Sequence, residues 1–209
     1  MAESRLNVEQ HIKYWKRCLS TYLPTSYTST DSSRVTLGFF ILAALDLLGA
    51  GADTLTQEER KNIHRWILNC QHPNGGFCGS PNHRYPEEYY KDVGLGKRQM
   101  DPANLAATFF ALMSLSFVGG FEDVKRYECF QWLKTLQRGD GSFGQLITDK
   151  GTIEGGKDMR NSYVAAAVRW ILRGEETVDA EDDIDVEALV GFLRAGQVYI
   201  ERIYCKHSG

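Results

Sequence analysis

Trp66 and Trp132 open the same phrase, and its return at a fixed distance restricts this chain to architectures built from stacked units. The first phrase runs Trp66-Ile67-Leu68-Asn69-Cys70-Gln71 and then Asn74-Gly75-Gly76-Phe77; the second runs Trp132-Leu133-Lys134-Thr135-Leu136-Gln137 and then Asp140-Gly141-Ser142-Phe143. Trp, Gln, Gly and Phe each recur 66 positions on. Fixed-period recurrence marks supersecondary units that bury their apolar faces only against neighbours. A third copy starts at Phe192-Leu193-Arg194-Ala195-Gly196-Gln197, with Phe in the Trp place, but no glycine turn follows and residues 198–209 diverge. The expected division is therefore a repeat domain over 1–197 and a divergent tail over 198–209.

Hydrophobic patterning separates two kinds of helix. Val35 to Leu48, Ala103 to Val118 and Met159 to Leu172 are apolar nearly all round, which calls for enclosure on all sides. Between them lie segments with one apolar stripe, such as Ile63, Trp66, Ile67 and Cys70 set against Lys61, Asn62, Arg65 and Asn69. Asp101 before Pro102 has the form of an N-cap ahead of a first-turn proline, and Thr56-Gln57-Glu58-Glu59 that of a capping box. Gly49, Gly119 and Gly174 suit helix ends. Alternating inner and outer helices predict an all-α fold in two layers, either a ring of helical hairpins or an open solenoid, with almost no sheet. The Gly-containing segments are turns whose Phe can tuck into the core, and neither matches G-x-G-x-x-G.

Several constellations have competing explanations. Cys70, His72, Cys78 and His83 are soft or borderline ligands, but their spacing fits no familiar zinc pattern, and a buried Cys70 with loop histidines accounts for them. Glu181-Asp182-Asp183-Ile184-Asp185 precedes an amphipathic segment, so a solvated helix start outweighs a magnesium site. Lys13 to Arg17 is basic and aromatic, yet Ile12, Trp15 and Leu19 form a helical stripe that favours a partly buried first helix. Arg160, between Gly155-Gly156-Lys157-Asp158 and an apolar helix, needs an anion: a ligand, or a salt bridge to Asp158 or a neighbouring carboxylate.

A net charge of −3 offers no general attraction for nucleic acid, and the run Leu37 to Leu45 is far short of the roughly 20 apolar residues that span a bilayer. Met1 to Arg5 lacks a secretory pattern, and five unevenly spaced cysteines make no disulfide framework, so a reduced cytoplasmic setting is expected.

From about His11 to Gln197 the chain resembles the N-terminal part of the beta subunit of protein prenyltransferases, most closely protein geranylgeranyltransferase type I. The likeness rests on His11 to Leu19, on Ser33-Arg34-Val35-Thr36-Leu37-Gly38-Phe39-Phe40, on both Trp phrases and on Lys157-Asp158-Met159-Arg160-Asn161-Ser162-Tyr163. It implies an alpha-alpha toroid, here an incomplete ring, that pairs with a prenyltransferase alpha subunit. It also implies transfer of a geranylgeranyl group from geranylgeranyl diphosphate to a cysteine near the C-terminus of proteins such as small GTPases, with zinc lowering the thiol pKa. By position, Thr36 resembles the small residue that leaves room for a fourth isoprene unit, and Phe40 a wall of the acceptor pocket. Phe109 resembles an aromatic residue of the lipid funnel. Arg160 and Tyr163 match an Arg-x-x-Tyr whose arginine lies near the acceptor carboxylate and whose tyrosine lies against the isoprenoid. The family's zinc ligands (Asp, Cys, His) and its main diphosphate-binding residues (His, Arg, Lys, Tyr) have no counterpart in this sequence, and Cys205 and His207 lack the surrounding motif. The isolated chain is therefore expected not to turn over. A non-catalytic short form that binds the alpha subunit or lipid is the alternative function. Terpene cyclases and glycosidases share the ring architecture, but the three apolar segments hold only Asp46 as an acid.

Overall fold

The computed structural model describes residues 6–22, 24–86, 89, 101–174 and 182–205, with 28, 29, 52, 53 and 198–205 by backbone alone. Glu181, His207 and most of the connection from Ser80 to Met100 lie outside the described residues. The chain forms α1 (Val8–Ser20), a 3-10 segment (Thr25–Ser33), α2 (Arg34–Leu47), the short α3 (Gly51–Thr54), α4 (Gln57–Leu68), α5 (Leu105–Val118) and α6 (Arg126–Thr135). A minimal antiparallel hairpin, β1 (Leu146–Ile147) and β2 (Ile153–Glu154), precedes α7 (Met159–Arg173) and α8 (Val186–Cys205).

The helices alternate between layers, as the patterning predicts. α5 lies between α2 and α7 to make an inner layer, while α1 packs on α2, α4 on α5, and α6 and α8 on α7. Ile12, Trp15 and Leu19 are the half-buried stripe by which α1 meets this layer. The capping box holds: Glu59 N donates to Thr56 Oγ1 at 3.2 Å, and Thr56 N donates to Glu59 Oε2 at 2.8 Å. Gly119 and Gly174 end α5 and α7 with φ of 95° and 58°.

Two expectations need correction. Asp101 does not cap α5; Asn104 does, accepting from Ala107 N at 2.8 Å, because the Asp101 carboxylate is buried and engaged by His83 Nδ1. Complete enclosure of the inner helices also fails. α2 and α7 each have one inner neighbour where α5 has two, so Leu47 on α2 stays 87% exposed and Trp170 on α7 74%.

The repeated phrases are the joints between units. Gln71 Nε2 donates to Lys125 O at 3.5 Å, and Lys125 N donates to Gln71 Oε1 at 3.3 Å. One unit on, Gln137 Nε2 donates to Asp185 O at 2.7 Å while Asp185 N donates to Gln137 Oε1 at 2.8 Å. Each amide thus clasps both polar groups of the residue that leads into the next outer helix. Gly75 and Gly141 bring the turn backbone against those helices. A Cβ on Gly75 would lie 1.9 Å from Glu128 O and one on Gly141 2.0 Å from Ala188 O, and both glycines have positive φ. Phe77 and Phe143 then fold inward and are completely buried. The same loops reach back to the inner layer: Gly79 O accepts from Val35 N at 3.0 Å and Gln145 O from Leu105 N at 2.7 Å, which satisfies first-turn amides of α2 and α5.

Arginines at the same spacing complete the inner helices at their other end. Arg60 donates to Phe117 O at 2.9 Å and Arg126 to Leu172 O at 2.9 Å, placing a cation on the C-terminal carbonyls of α5 and α7. Gln197 stands in a different setting, since α8 continues unbroken through it to Cys205 where α4 and α6 end before their glutamines.

Gly141→Ala is expected to cost about 3 kcal/mol or more of unfolding free energy, from the clash and the positive φ together. Gly139→Ala, where a Cβ meets nothing within 4 Å, should stay within about 0.5 kcal/mol. Equal losses in urea denaturation would rule out close docking at Gly141.

Acid stability supplies a second test. The hydrogen bond from Arg169 Nε, 2.7 Å from Asp183 Oδ1, holds the Asp183 carboxyl below its usual range. A depressed carboxyl contributes stability in full above its unfolded pKa of about 3.9 and loses it as pH falls through the folded value. Asp183→Asn should therefore be less stable than the parent at pH 6, and the difference should shrink as pH falls below the unfolded pKa of about 3.9. Parallel curves across that range would show that the pair contributes nothing.

Candidate functional site

The inner helices carry a continuous row of aromatic rings across their shared face. Phe39 and Phe40 on α2 sit 5.4 Å apart, and Phe40 lies 5.6 Å from Phe110 of α5. Phe110 lies 5.2 Å from Phe109, which meets Tyr163 of α7 at 6.4 Å. All four separations fall within the range of attractive ring pairs. The row exists because consecutive Phe residues on α5 reach both ways, one toward each neighbouring helix. Its ends are open: Phe40 is 52% exposed and Tyr163 68%. Aromatic surface left this open in a folded chain marks a place for an apolar partner.

Thr36 lies one turn before Phe40 on the same face of α2. It lines a cavity of about 240 Å³ where the first turns of α2, α5 and α7 converge, with Ala107, Leu146, Val164 and Tyr85 among the other walls. Ser32, Ser33, Asn104, Gln145 and Asn161 also line it, so its lining is mixed, though the Asn104 side chain is spent on capping α5 and the Asn161 amide on Phe143 O and Gly156 O. A larger cavity, about 360 Å³, opens between α1, α2 and α4 and is lined by Leu19, Ile63 and Trp66. It lies behind the row, and none of Thr36, Phe40, Phe109, Arg160 or Tyr163 touches it.

Arg160 stands one helical turn before Tyr163, at the start of α7. Its Nη2 and Nε lie 2.6 and 2.9 Å from Asp158 Oδ2, and Asp158 also caps α7 by accepting from Arg160 N at 2.8 Å. The guanidinium pair holds the Asp158 carboxyl low and pushes the arginine up. With the arginine side chain 89% exposed, the ion pair is screened by water and remains open to exchange for another carboxylate. Lys157 is drawn to Asp140 at 2.6 Å.

The structure thus brings Phe40, Phe109 and Tyr163 together, sets Thr36 beside them and leaves Arg160 at the edge. Sequence reasoning missed Phe39 and Phe110, although the doublets Phe39-Phe40 and Phe109-Phe110 are visible in the chain. Tyr85 carries no periodic signal, since it sits in a connection outside the repeat.

The soft ligands flagged in the sequence are engaged elsewhere. Cys78 Sγ donates to Cys70 O at 3.1 Å, Cys70 Sγ to Trp66 O at 3.4 Å, and His72 Nδ1 accepts from Asn74 N at 3.1 Å. The hydrogen bond with Cys78, reinforced by burial, pushes the Cys70 thiol far up, so it remains protonated. Among the described residues no three His, Cys, Asp or Glu side chains converge to hold a metal. The acidic run disperses likewise: Asp183 pairs with Arg169, Asp182 accepts from Gln131 at 3.2 Å, and Asp185 accepts from Ala188 N at 2.8 Å at the start of α8. No described helix is long and apolar enough to cross a membrane.

Residues 6–202 match the prenyltransferase alpha-alpha toroid domain. The geranylgeranyl transferase type-1 subunit beta of Dictyostelium discoideum is 27% identical over 198 residues, covering 87% of this chain and 54% of its own length. That of Arabidopsis thaliana is 26% identical over 185 residues (83% and 45%). The protein farnesyltransferase subunit beta of Schizosaccharomyces pombe is 25% identical over 165 residues (78% and 36%). The chain thus spans about half, or less, of the curated relatives it matches. Among solved structures, Candida albicans protein geranylgeranyltransferase-I complexed with GGPP shares the fold, with a TM-score of 0.70 at 22% identity over 91% of this chain and 51% of that one. With the domain match running from the first described helix into the last, the chain belongs to the prenyltransferase alpha-alpha toroid family.

Proposed function

We propose that this chain is the isoprenoid-binding part of a geranylgeranyltransferase type I beta subunit. The observation that carries the proposal is the row of rings from Phe40 to Tyr163, open to solvent at both ends, with Thr36 and the cavity it lines one turn of α2 before Phe40. An isoprenoid chain is apolar and unsaturated, and stacked aromatic faces offer it area without polar groups to desolvate. Thr36 leaves open a volume that a bulkier side chain would fill, which favours the 20-carbon geranylgeranyl over the 15-carbon farnesyl chain. Arg160, once released by Asp158, would receive the carboxylate of an acceptor protein, and Tyr163 would flank the lipid.

In the proposed reaction the acceptor cysteine gives up its thiol proton to solvent, its sulfur forms a bond to the isoprenoid carbon, the bond from that carbon to the diphosphate oxygen breaks, and diphosphate leaves. The described residues do not fit the zinc implied by the family resemblance, because no three of their His, Cys, Asp or Glu side chains converge, and Cys70, His72, Cys78 and His83 are bound to backbone, Asn74 and Asp101. The role left to this chain's own residues is to hold the lipid and present it. The prenyltransferase alpha subunit is the proposed partner, C-terminal cysteine proteins such as small GTPases are the proposed acceptors, and the cytoplasm is the proposed setting.

Thr36→Trp tests the assignment. The added bulk should weaken geranylgeranyl diphosphate binding about tenfold or more while farnesyl diphosphate stays within about threefold, consistent with an overpacking cost of about 1–3 kcal/mol. Titration of the purified chain, with and without an alpha subunit, gives both constants. Failure of the parent protein to bind either diphosphate in either setting would refute the proposal. Transfer assayed in the same mixtures separates a catalytic subunit from a non-catalytic binder.

A further inference from the structure

The cavity beside Thr36 has one wall that belongs to no repeat. Tyr85 comes from the connection between the first phrase and α5, and it faces the same space as Thr36, Leu146 and Val164. Three features hold it there. Its ring meets His83 edge-on, with centroids 4.6 Å apart and planes at 83°. His83 Nδ1 is in turn bound to the carboxylate of Asp101, a fully buried side chain three residues ahead of the Asn104 cap of α5. The Tyr89 ring lies 5.7 Å from that of Tyr85, centroid to centroid. A buried carboxylate without a partner would be costly, so Asp101 fixes His83, and His83 fixes the Tyr85 ring. Burial, then the nearby Asp101 charge, pushes the Tyr85 phenol up, so the wall is uncharged at physiological pH.

We propose that Tyr85 closes the cavity opposite Thr36 and so sets, together with it, the length of isoprenoid chain the site accepts, with His83 and Asp101 as positioning residues behind it. The inference rests on the lipid-binding assignment above and names a second determinant of its selectivity. Thr36 provides the room, and Tyr85 limits how much of it there is. Reach past the cavity is blocked by a ring on a pinned loop rather than by an inner helix, so the limit can move without disturbing the stack.

Dissociation constants for farnesyl diphosphate, geranylgeranyl diphosphate and the 25-carbon homologue, measured on the full chain with any subunit that copurifies, provide the test. Tyr85→Trp fills the cavity and should weaken the 20-carbon lipid about tenfold relative to the 15-carbon lipid. Tyr85→Ala opens it and should favour the 25-carbon lipid about tenfold relative to the 20-carbon one. His83→Ala should shift the ratios in the same sense as Tyr85→Ala, whereas simple destabilisation would weaken all three lipids alike. Melting curves establish that each variant is folded, and if the Trp variant does not fold, the Ala variant decides. Ratios unchanged within about twofold in the folded Tyr85 variants, with Thr36→Trp still discriminating, would overturn the role of Tyr85 alone. Ratios unchanged in Thr36→Trp as well would overturn the lipid-site assignment with it.

Discussion

Two glutamine side chains hold the outer layer in register, and the inner layer takes its order from that register. An amide is the one neutral side chain that offers a donor and an acceptor side by side, so it can satisfy both the N–H and the C=O of a single residue. Gln71 does this for Lys125 and Gln137 for Asp185, each just before an outer helix begins. Lys125 and Asp185 are exposed, so water could satisfy the same groups; each clasp adds a modest energy and acts by selecting which residue of the next unit the glutamine meets. The neighbouring glycine sharpens the choice, because the turn at Gly75 or Gly141 approaches the next helix more closely than any Cβ permits. Hydrogen bonds thus set the register, and close backbone contact sets the distance.

From that register the aromatic face follows. Gly79 and Gln145 carbonyls receive the first-turn amides of α2 and α5, while Arg60 and Arg126 receive the last carbonyls of α5 and α7. An inner helix fixed in this way at its termini has little freedom to rotate about its axis. Phe40, Phe109, Phe110 and Tyr163 are therefore aimed by contacts distant from the rings themselves. Rotation of α5 by one residue, about 100°, would carry Phe109 and Phe110 off both neighbours and break the row.

How far the sequence reveals this depends on whether a feature repeats. The Trp phrases, the alternation of layers and the capping box at Thr56 are all periodic or locally patterned, and each is legible in the order of the residues alone. Arg60 and Arg126 are spaced like the phrases, yet a charged residue on an outer helix looks like any solvated one until its partner carbonyl is known. Asp101 deceived because Asp-Pro is a common helix start, whereas the tertiary pull of His83 moved the cap to Asn104. The apolar composition of α2 and α7 suggested complete burial, but composition does not distinguish a face packed against the described helices from one left open. That ambiguity is informative: Tyr163 and Trp170 on α7 are what an apolar helix exposes when its remaining partner is not another helix of the described layer.

Selectivity is best located where the repeat relaxes. Residues at the joints answer to two units at once, so a change at Gly141 or Gln137 disturbs stacking along with anything nearby. Tyr85 lies outside the repeated phrases and is held by His83, which is anchored by its contact with the buried Asp101. Its ring can therefore change size while the clasps, caps and glycine contacts stay as they are. Thr36 lacks that independence, since α2 must also hold Phe39 and Phe40 in the row. On the proposed reading, one wall of the site lies on a constrained inner helix and the other on Tyr85, outside the repeat, where a change of side chain disturbs fewer of the contacts that stack the units.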